Sequence, residues 1–400
     1  MPDLDPDRPT QRTSASVSGT PLVDHHCHGV VPGDLDRRSF EGFITEGVDP
    51  APKGTSQFDS PVGLAILRWC APVLELPPVA SPDEYLTRRV ELGAEEIHRR
   101  FLRSAGLEAL LVETGHLAAD LLEPAAMGLL AAAPAYKVVR LESVAEAVAR
   151  EGVDAAAYPA AFTRALEAAA AGAVGLKTVI AYRGGFKLDP TRPSTREVVD
   201  AAGRWLSQHG PPRLEDPVLL RYGIWTGAEL GRDRGLPLQI HAGYGNPDLT
   251  LHLANPSLLT DLVRALGQLQ LDVVFLHCYP YHREAAYLAA VFPHVYVDVG
   301  LALHYTGPSA VRILGEAMEL APFTKQLYSS DAFALAEFHY LGAVLFRRSL
   351  AAILENWVRR EECSAADADR ITELFGRANA HRIYPLDLGQ TAADRHADRQ

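Results

Sequence analysis

Pro21-Leu22-Val23-Asp24-His25-His26-Cys27-His28 is a short apolar run that ends in histidines, and its reading decides the fold. A continuous apolar run of this length suits a strand buried on both faces, the kind found in parallel sheets. Side chains two apart on a strand share a side, so His26 and His28 present two imidazoles to one point while His25 and Cys27 face elsewhere. An open doubly wound sheet usually carries a glycine-rich phosphate turn after its first strand. Here histidines stand in that place, which favours a closed (β/α)8 TIM barrel, an α/β fold.

Seven further runs rich in Val, Ile, Leu and Tyr join the first, expected over Pro21–His25. They are Ala109–Glu113, Lys137–Leu141, Val174–Ala181, Pro237–His241, Val273–His277, Val295–Val299 and Gln326–Ser330. Longer segments of helical character separate most of them, as βαβ units require. Ser81-Pro82-Asp83-Glu84 carries a capping box and opens a helix expected to run toward Arg103, and Ser364 with Asp367 opens another toward Ala378. The connection 29–106 is much longer than an ordinary βα loop and predicts a helical insertion that forms a lid or substrate wall, or packs over the barrel.

Three runs place a polar residue where the strand stops: His241, His277 and, just past the last run, Asp331. The carboxyl ends of barrel strands form the active-site face, where groups from several strands meet. Singly, each residue reads as a core histidine or a helix-capping aspartate. Together, His26, His28, His241, His277 and Asp331 read as one metal centre. Imidazole and carboxylate suit zinc first, with manganese or iron next, and the lack of thiolate ligands argues against a closed structural zinc site.

Composition narrows the class. The chain has 400 residues, is 48% hydrophobic and carries a formal charge of -12. Nucleic-acid affinity rests on clustered Lys and Arg, so no nucleic acid partner is expected. No stretch approaches the roughly 20 apolar residues that span a bilayer, so no membrane partner is expected either. Residues 1–20 read as a disordered leader without a signal-peptide core, 21–386 as the barrel domain and 387–400 as a polar tail. Four scattered cysteines, Cys27, Cys70, Cys278 and Cys363, suit a reducing compartment, and the expectation is a cytoplasmic protein with a small-molecule substrate, a homo-oligomer being left open.

With these residues in view, the sequence resembles the amidohydrolase superfamily. The resemblance rests on Val23-Asp24-His25-His26-Cys27-His28, the isolated His241 and His277, Ser330-Asp331, and Asn379-Ala380-His381-Arg382-Ile383-Tyr384. Gly175-Leu176-Lys177, Ala181-Tyr182-Arg183 and the segment Tyr85–Arg103 resemble the amidohydrolase-related branch, which includes the N-terminal half of FluG and nodulin-type proteins. The resemblance implies that His26, His28, His241 and Asp331 hold one or two divalent metals, and that Asp331 also moves protons in catalysis. It implies that His277 is a second-metal ligand or polarises a substrate carbonyl. Lys177 is then either a carbamylated bridging ligand or a cation facing a substrate anion. Arg183 is a candidate clamp for a substrate carboxylate, since its fork pairs with two oxygens at once. The activity implied is cleavage of an amide-type C–N bond. A mononuclear zinc decarboxylase of the same superfamily and a non-catalytic scaffold or regulatory module are the alternatives. Asp298, His304, Tyr279, Tyr281 and His282 are weaker candidates for the pocket rim, with a capping or surface role expected for the first two.

Overall fold

Seven strands form one sheet in the order of the chain: β1 (Leu22–Cys27), β2 (Leu107–Glu113), β3 (Ala135–Arg140), β4 (Ala173–Thr178), β5 (Leu238–Ala242), β6 (Val273–His277) and β7 (Val295–Val297). The structure is a computed structural model and describes residues 17–208 and 213–386. The expected leader over 1–16 and the tail over 387–400 lie outside the described residues. Residues 17–19 form a helical turn with Val17 buried.

The described residues divide into two compact units. The first comprises the chain up to Leu110, Ala119–Ala135 and Val299–Ala380, and the second comprises Leu111–Ala118, Tyr136–Asp298 and the chain from His381. In the second unit β3 through β7 pair successively in parallel, each with its sequence neighbour. Every residue of β4, β5, β6 and β7 is buried, which is why these strands read as unbroken apolar runs and not as alternating ones. The register sets Ala242 opposite His277 and His241 opposite Leu276, so the two histidines end neighbouring strands one position apart.

In the first unit the whole of β1 is buried. The run Gln326–Ser330, expected as an eighth strand, does not form one. Its backbone nevertheless lies along β1: His25 N–H donates to Tyr328 O (3.2 Å), Asp331 N–H to His26 O (3.0 Å) and His28 N–H to Ala332 O (2.8 Å). Val30 and Ala334 then form an isolated parallel bridge. The ladder is interrupted because Asp331 and Ala334 sit at φ 49° and 61°, outside the extended region a strand requires.

The long connection after β1 is helical, with Arg37–Phe43, Pro61–Ala65, Pro82–Leu92 and Ala94–Ser104 as its α-helices. The Ser81 and Ser364 capping boxes both form as expected. The helix from Ser81 does not run unbroken to Arg103, because Gly93 at φ 76° ends one helix and begins the next. Among the described residues no helix is long and apolar enough to cross a membrane.

Candidate metal centre

The first unit gathers three of the expected donors. His26 Nε2 lies 3.1 Å and His28 Nε2 3.4 Å from the same oxygen, Oδ1 of Asp331. The strand places His26 at the end of β1, with its ring edge-on to that of His28 at 5.1 Å. Around a tetrahedral zinc with bonds of about 2.0 to 2.1 Å, ligand atoms stand roughly 3.3 Å apart. His26 Nε2 and His28 Nε2 each stand from Asp331 Oδ1 at about the separation that two ligands of one cation have, and His26 and Asp331 belong to a group of side chains that could hold one. Asp331 keeps a left-handed backbone at φ 49°, a conformation that costs a non-glycine residue about 1–3 kcal/mol and that accumulates at functional sites.

Glu46, not foreseen from sequence, also faces this centre. Burial, with the charge of Asp331 adding to it, pushes its carboxyl up to about 7, against an opposing hydrogen bond from Tyr305. It lies in the loop after Arg37–Phe43, and Phe43 packs edge-on against Phe333, which in turn meets His28. Only the length of the insertion hinted that one of its carboxylates would reach the centre. Asp24 and Cys27 of β1 form a second buried group of donor atoms with His339. Burial pushes the Cys27 thiol far up, and the Cys278 thiol likewise. None of the four cysteines is in a disulfide.

The second unit carries the other expected residues. The His241 and His277 rings are 4.5 Å apart, and Tyr182 lies against His241 at 4.6 Å. His241 Nε2 is 3.1 Å from Tyr244 O. Gly245 leaves the room this needs, since a Cβ there would collide with Tyr182 Oη and stand 3.3 Å from His241 Nε2. His277 has φ 67° and Cys278 φ 58°, two successive left-handed residues at the strand end. Asp298 accepts the His277 backbone N–H at 2.9 Å and is 3% exposed, so it holds this bend from inside and is not the surface or capping residue expected.

Lys177 lies on β4 and is 2% exposed, an inward position open to either of its expected roles. Arg183 lies just past β4, with Nη2 paired to Glu146 at 3.1 Å. Its Nε and Nη1 are buried with no hydrogen-bond partner among the described residues. Burial lowers its pKa, with Glu146 opposing the shift. Buried guanidinium donors cost free energy until an acceptor reaches them, so this geometry suits an incoming anion.

Of the weaker candidates, Tyr279 stacks on His282 at 5.8 Å. His304 is fully buried in the first unit and stacks on Phe338 at 4.5 Å, against the surface role expected. Its apolar neighbours in the sequence gave the burial signal, which the adjacent strand reading masked.

Known proteins fit this picture. A family model for amidohydrolases matches residues 118–386, a span that holds His241, His277 and Asp331 but not β1. Protein fluG of Emericella nidulans is 27% identical across 92% of this chain, which spans about half of that relative, 46% of its length. A candidate metal-dependent hydrolase from Lactobacillus casei superposes with a TM-score of 0.80 at 29% identity, covering 96% of this chain and 98% of that one. Uronate isomerase from Thermotoga maritima gives a TM-score of 0.62 at 14% identity over 96% of this chain and all of its own, a likeness of fold alone. The fold class is thus the α/β barrel of these neighbours, with seven strands in the sheet and an eighth segment beside β1. By the span of the family match and the residues within it, the chain belongs to the amidohydrolase family.

Proposed function

We propose that this protein is a metal-dependent hydrolase that cleaves an amide-type C–N bond in a small molecule bearing a carboxylate. The observation that carries the proposal is the convergence of His26 and His28 on one oxygen of Asp331. In this reading His26, His28 and Asp331 hold the metal, with zinc the first choice, and His241 and His277 keep the ligand or carbonyl-polarising roles that the family resemblance implies for them. When bound, a divalent metal makes water acidic enough to attack a carbonyl carbon near neutral pH and polarises that carbonyl.

The residues supply the remaining steps. Asp331 takes the proton of the attacking water and returns it to the leaving nitrogen, as a positioned carboxylate can. Arg183, already anchored on one side by Glu146, offers Nε and Nη1 to the substrate carboxylate and so fixes the scissile bond. Lys177, on the adjoining strand, stands as a bridging carbamate or as a second cation for the same anion.

The test begins with elemental analysis of the purified protein. A screen of amides, γ-glutamyl compounds and carboxylated aromatics follows. We expect one or two divalent metals per chain, lost on joint replacement of His26 and His28 by Ala while the fold persists. A double variant with its full complement of metal would refute the assignment. Hydrolysis of esters or amides without any preference for a carboxylate would remove Arg183 from the proposal and leave the metal centre standing.

A further inference from the structure

Asp331 has to be held where it is. An L-residue at φ 49° relaxes to the right-handed or extended region unless its neighbours are fixed, and Asp331 has a fixed neighbour on each side. Ser330 N–H donates to Asp24 Oδ1 at 2.9 Å, and Ser330 Oγ donates to Asp24 Oδ2 at 2.5 Å. The same Ser330 hydroxyl accepts the N–H of Ala332 at 3.0 Å. The Ser329–Ser330 peptide group and the peptide group after Asp331 are therefore tied, directly or through one hydroxyl, to a single carboxylate, while Asp331 N–H itself is held by His26 O. Asp24, Ser330 and Ala332 are all fully buried, so water does not compete for these bonds.

We propose that Asp24, acting through Ser330, is a positioning residue that locks Asp331 in its left-handed conformation and keeps its carboxylate turned toward His26 and His28. This rests on the reading that Asp331 is a metal ligand. The geometry explains why an aspartate stands two residues before the first metal histidine. Both donors come from one serine, and a carboxylate offers an acceptor to each, where an amide would turn an NH2 toward one of them.

Two further contacts tighten the lock. The helix Ala336–Arg359 brings Gly342 against Ser330, where a Cβ would stand only 3.0 Å from the serine Cβ, so the helix backbone itself packs on Ser330. Behind Asp24, His339 Nδ1 lies at 3.8 Å, with neither ring nitrogen hydrogen-bonded among the described residues. Asp24, Cys27 and His339 could instead form a cation site of their own. The lone pairs of Asp24 that face Ser330 are already engaged, and the experiment separates the two cases.

Metal-free full-length protein is titrated with Co2+, followed by visible absorption and calorimetry, with melting temperature recorded alongside. Wild type, Ser330→Ala, Asp24→Asn, Tyr328→Phe and the His26→Ala/His28→Ala double variant are compared. We expect the double variant to lose the Co2+ signal. Ser330→Ala and Asp24→Asn should bind Co2+ about ten-fold or more weakly, the usual consequence of removing a group that orients a ligand. Tyr328→Phe, an equally buried change whose hydroxyl makes no hydrogen bond among the described residues, should bind as wild type. A merely structural role would lower the melting temperature and leave affinity intact.

Folded Ser330→Ala protein with wild-type affinity overturns the proposal, and this variant decides alone where Asp24→Asn does not fold. A Co2+ ion kept by the double variant and lost in Asp24→Asn makes Asp24 a ligand and also overturns it. Unchanged binding in the double variant refutes the metal assignment itself, a failure visible without reference to Ser330.

Discussion

Arg89 donates through Nε to Oε1 of Glu337 at 2.8 Å, a pair 248 residues apart in sequence with side chains 2% and 0% exposed. Tyr85 gives its hydroxyl to the same carboxylate oxygen at 3.1 Å. The pair fastens the helix Pro82–Leu92 of the insertion to the first turn of Ala336–Arg359, the helix that follows Asp331. Glu337 Oε2 and Arg89 Nη2 have no hydrogen-bond partner among the described residues, so the charges depend on each other.

Breaking such a pair from one side leaves a buried charge and typically costs about 3–5 kcal/mol, whereas replacing both partners by apolar groups is near neutral. Arg89→Met should therefore destabilise the protein severely, and Arg89→Met/Glu337→Leu should recover most of the loss. Urea denaturation of the three proteins measures this. Equal destabilisation in the single and double variants would mean that packing, not charge, holds the insertion.

Asp331→Asn preserves the shape of the side chain and removes its charge and its basicity. Turnover should fall by about 100-fold or more, the range for loss of a positioned acid–base group, with KM changed far less. Steady-state kinetics on the substrate found by the screen, with bound metal measured in the same preparation, give the answer. A full rate with full metal would take Asp331 out of the proton transfer.

Buried His98 and half-buried Glu46, both in the first unit, give opposite pH slopes in the metal-free protein. Burial lowers the His98 imidazole to about 4 from an ordinary 6.5. Between those values the unfolded chain binds a proton that folded His98 refuses, so stability is lost as pH falls from 6.5 toward 4. Glu46 is pushed up to about 7 from 4.5, so between those values the folded state keeps a proton that the unfolded chain has released. Its contribution is full below 4.5 and is lost as pH rises through 7. His98→Leu should leave a protein whose stability declines from pH 5 to 7 in the presence of chelator, and Glu46→Gln one whose stability rises over that interval. The change is on the order of 1–2 kcal/mol each way, given the partial exposure of Glu46 and the usual spread of such shifts. Denaturant midpoints taken at pH 5, 6 and 7 that move alike in both variants would contradict the assignment.

How far the sequence could be read depended on how local the cause was. β6 occupies Val273–His277, the very run expected, because a continuous apolar stretch bounded by polar residues needs no distant partner to be recognised. The Ser81 and Ser364 caps were legible for the same reason, each being settled within four residues. Gly93 was a visible helix breaker that the long amphipathic pattern on both sides concealed. The failure of Gln326–Ser330 to form a strand had no local sign, since it follows from the left-handed turn at Asp331 and the grip of Asp24 on Ser330, 306 residues away. Arg89 with Glu337, and Glu46 beside Asp331, escaped notice likewise: each is a charged residue on a helical or loop segment, and burial alone distinguishes it from a solvated one. The turning of His26 and His28 toward one oxygen of Asp331 was legible from the first strand alone, because residues two apart at a strand end point the same way.

Arg183 offers the sharpest test of substrate class. Glu146 takes Nη2, and Glu146 in turn accepts the backbone N–H of Leu214 at 3.0 Å, so the guanidinium is anchored with Nε and Nη1 buried and unmatched. Arg183→Met keeps the stem and removes the fork. A hydrogen bond to a charged group contributes about 1.5–3 kcal/mol, so KM for a carboxylate substrate should rise roughly ten-fold or more. The rate at saturation should change little, because the carboxylate is held equally in the ground and transition states. The amide or methyl ester of the same substrate should already bind poorly to wild type and lose nothing further in the variant. An equal rise in KM for the charged and neutral substrates would show that Arg183 acts through the fold of its loop and not through the anion.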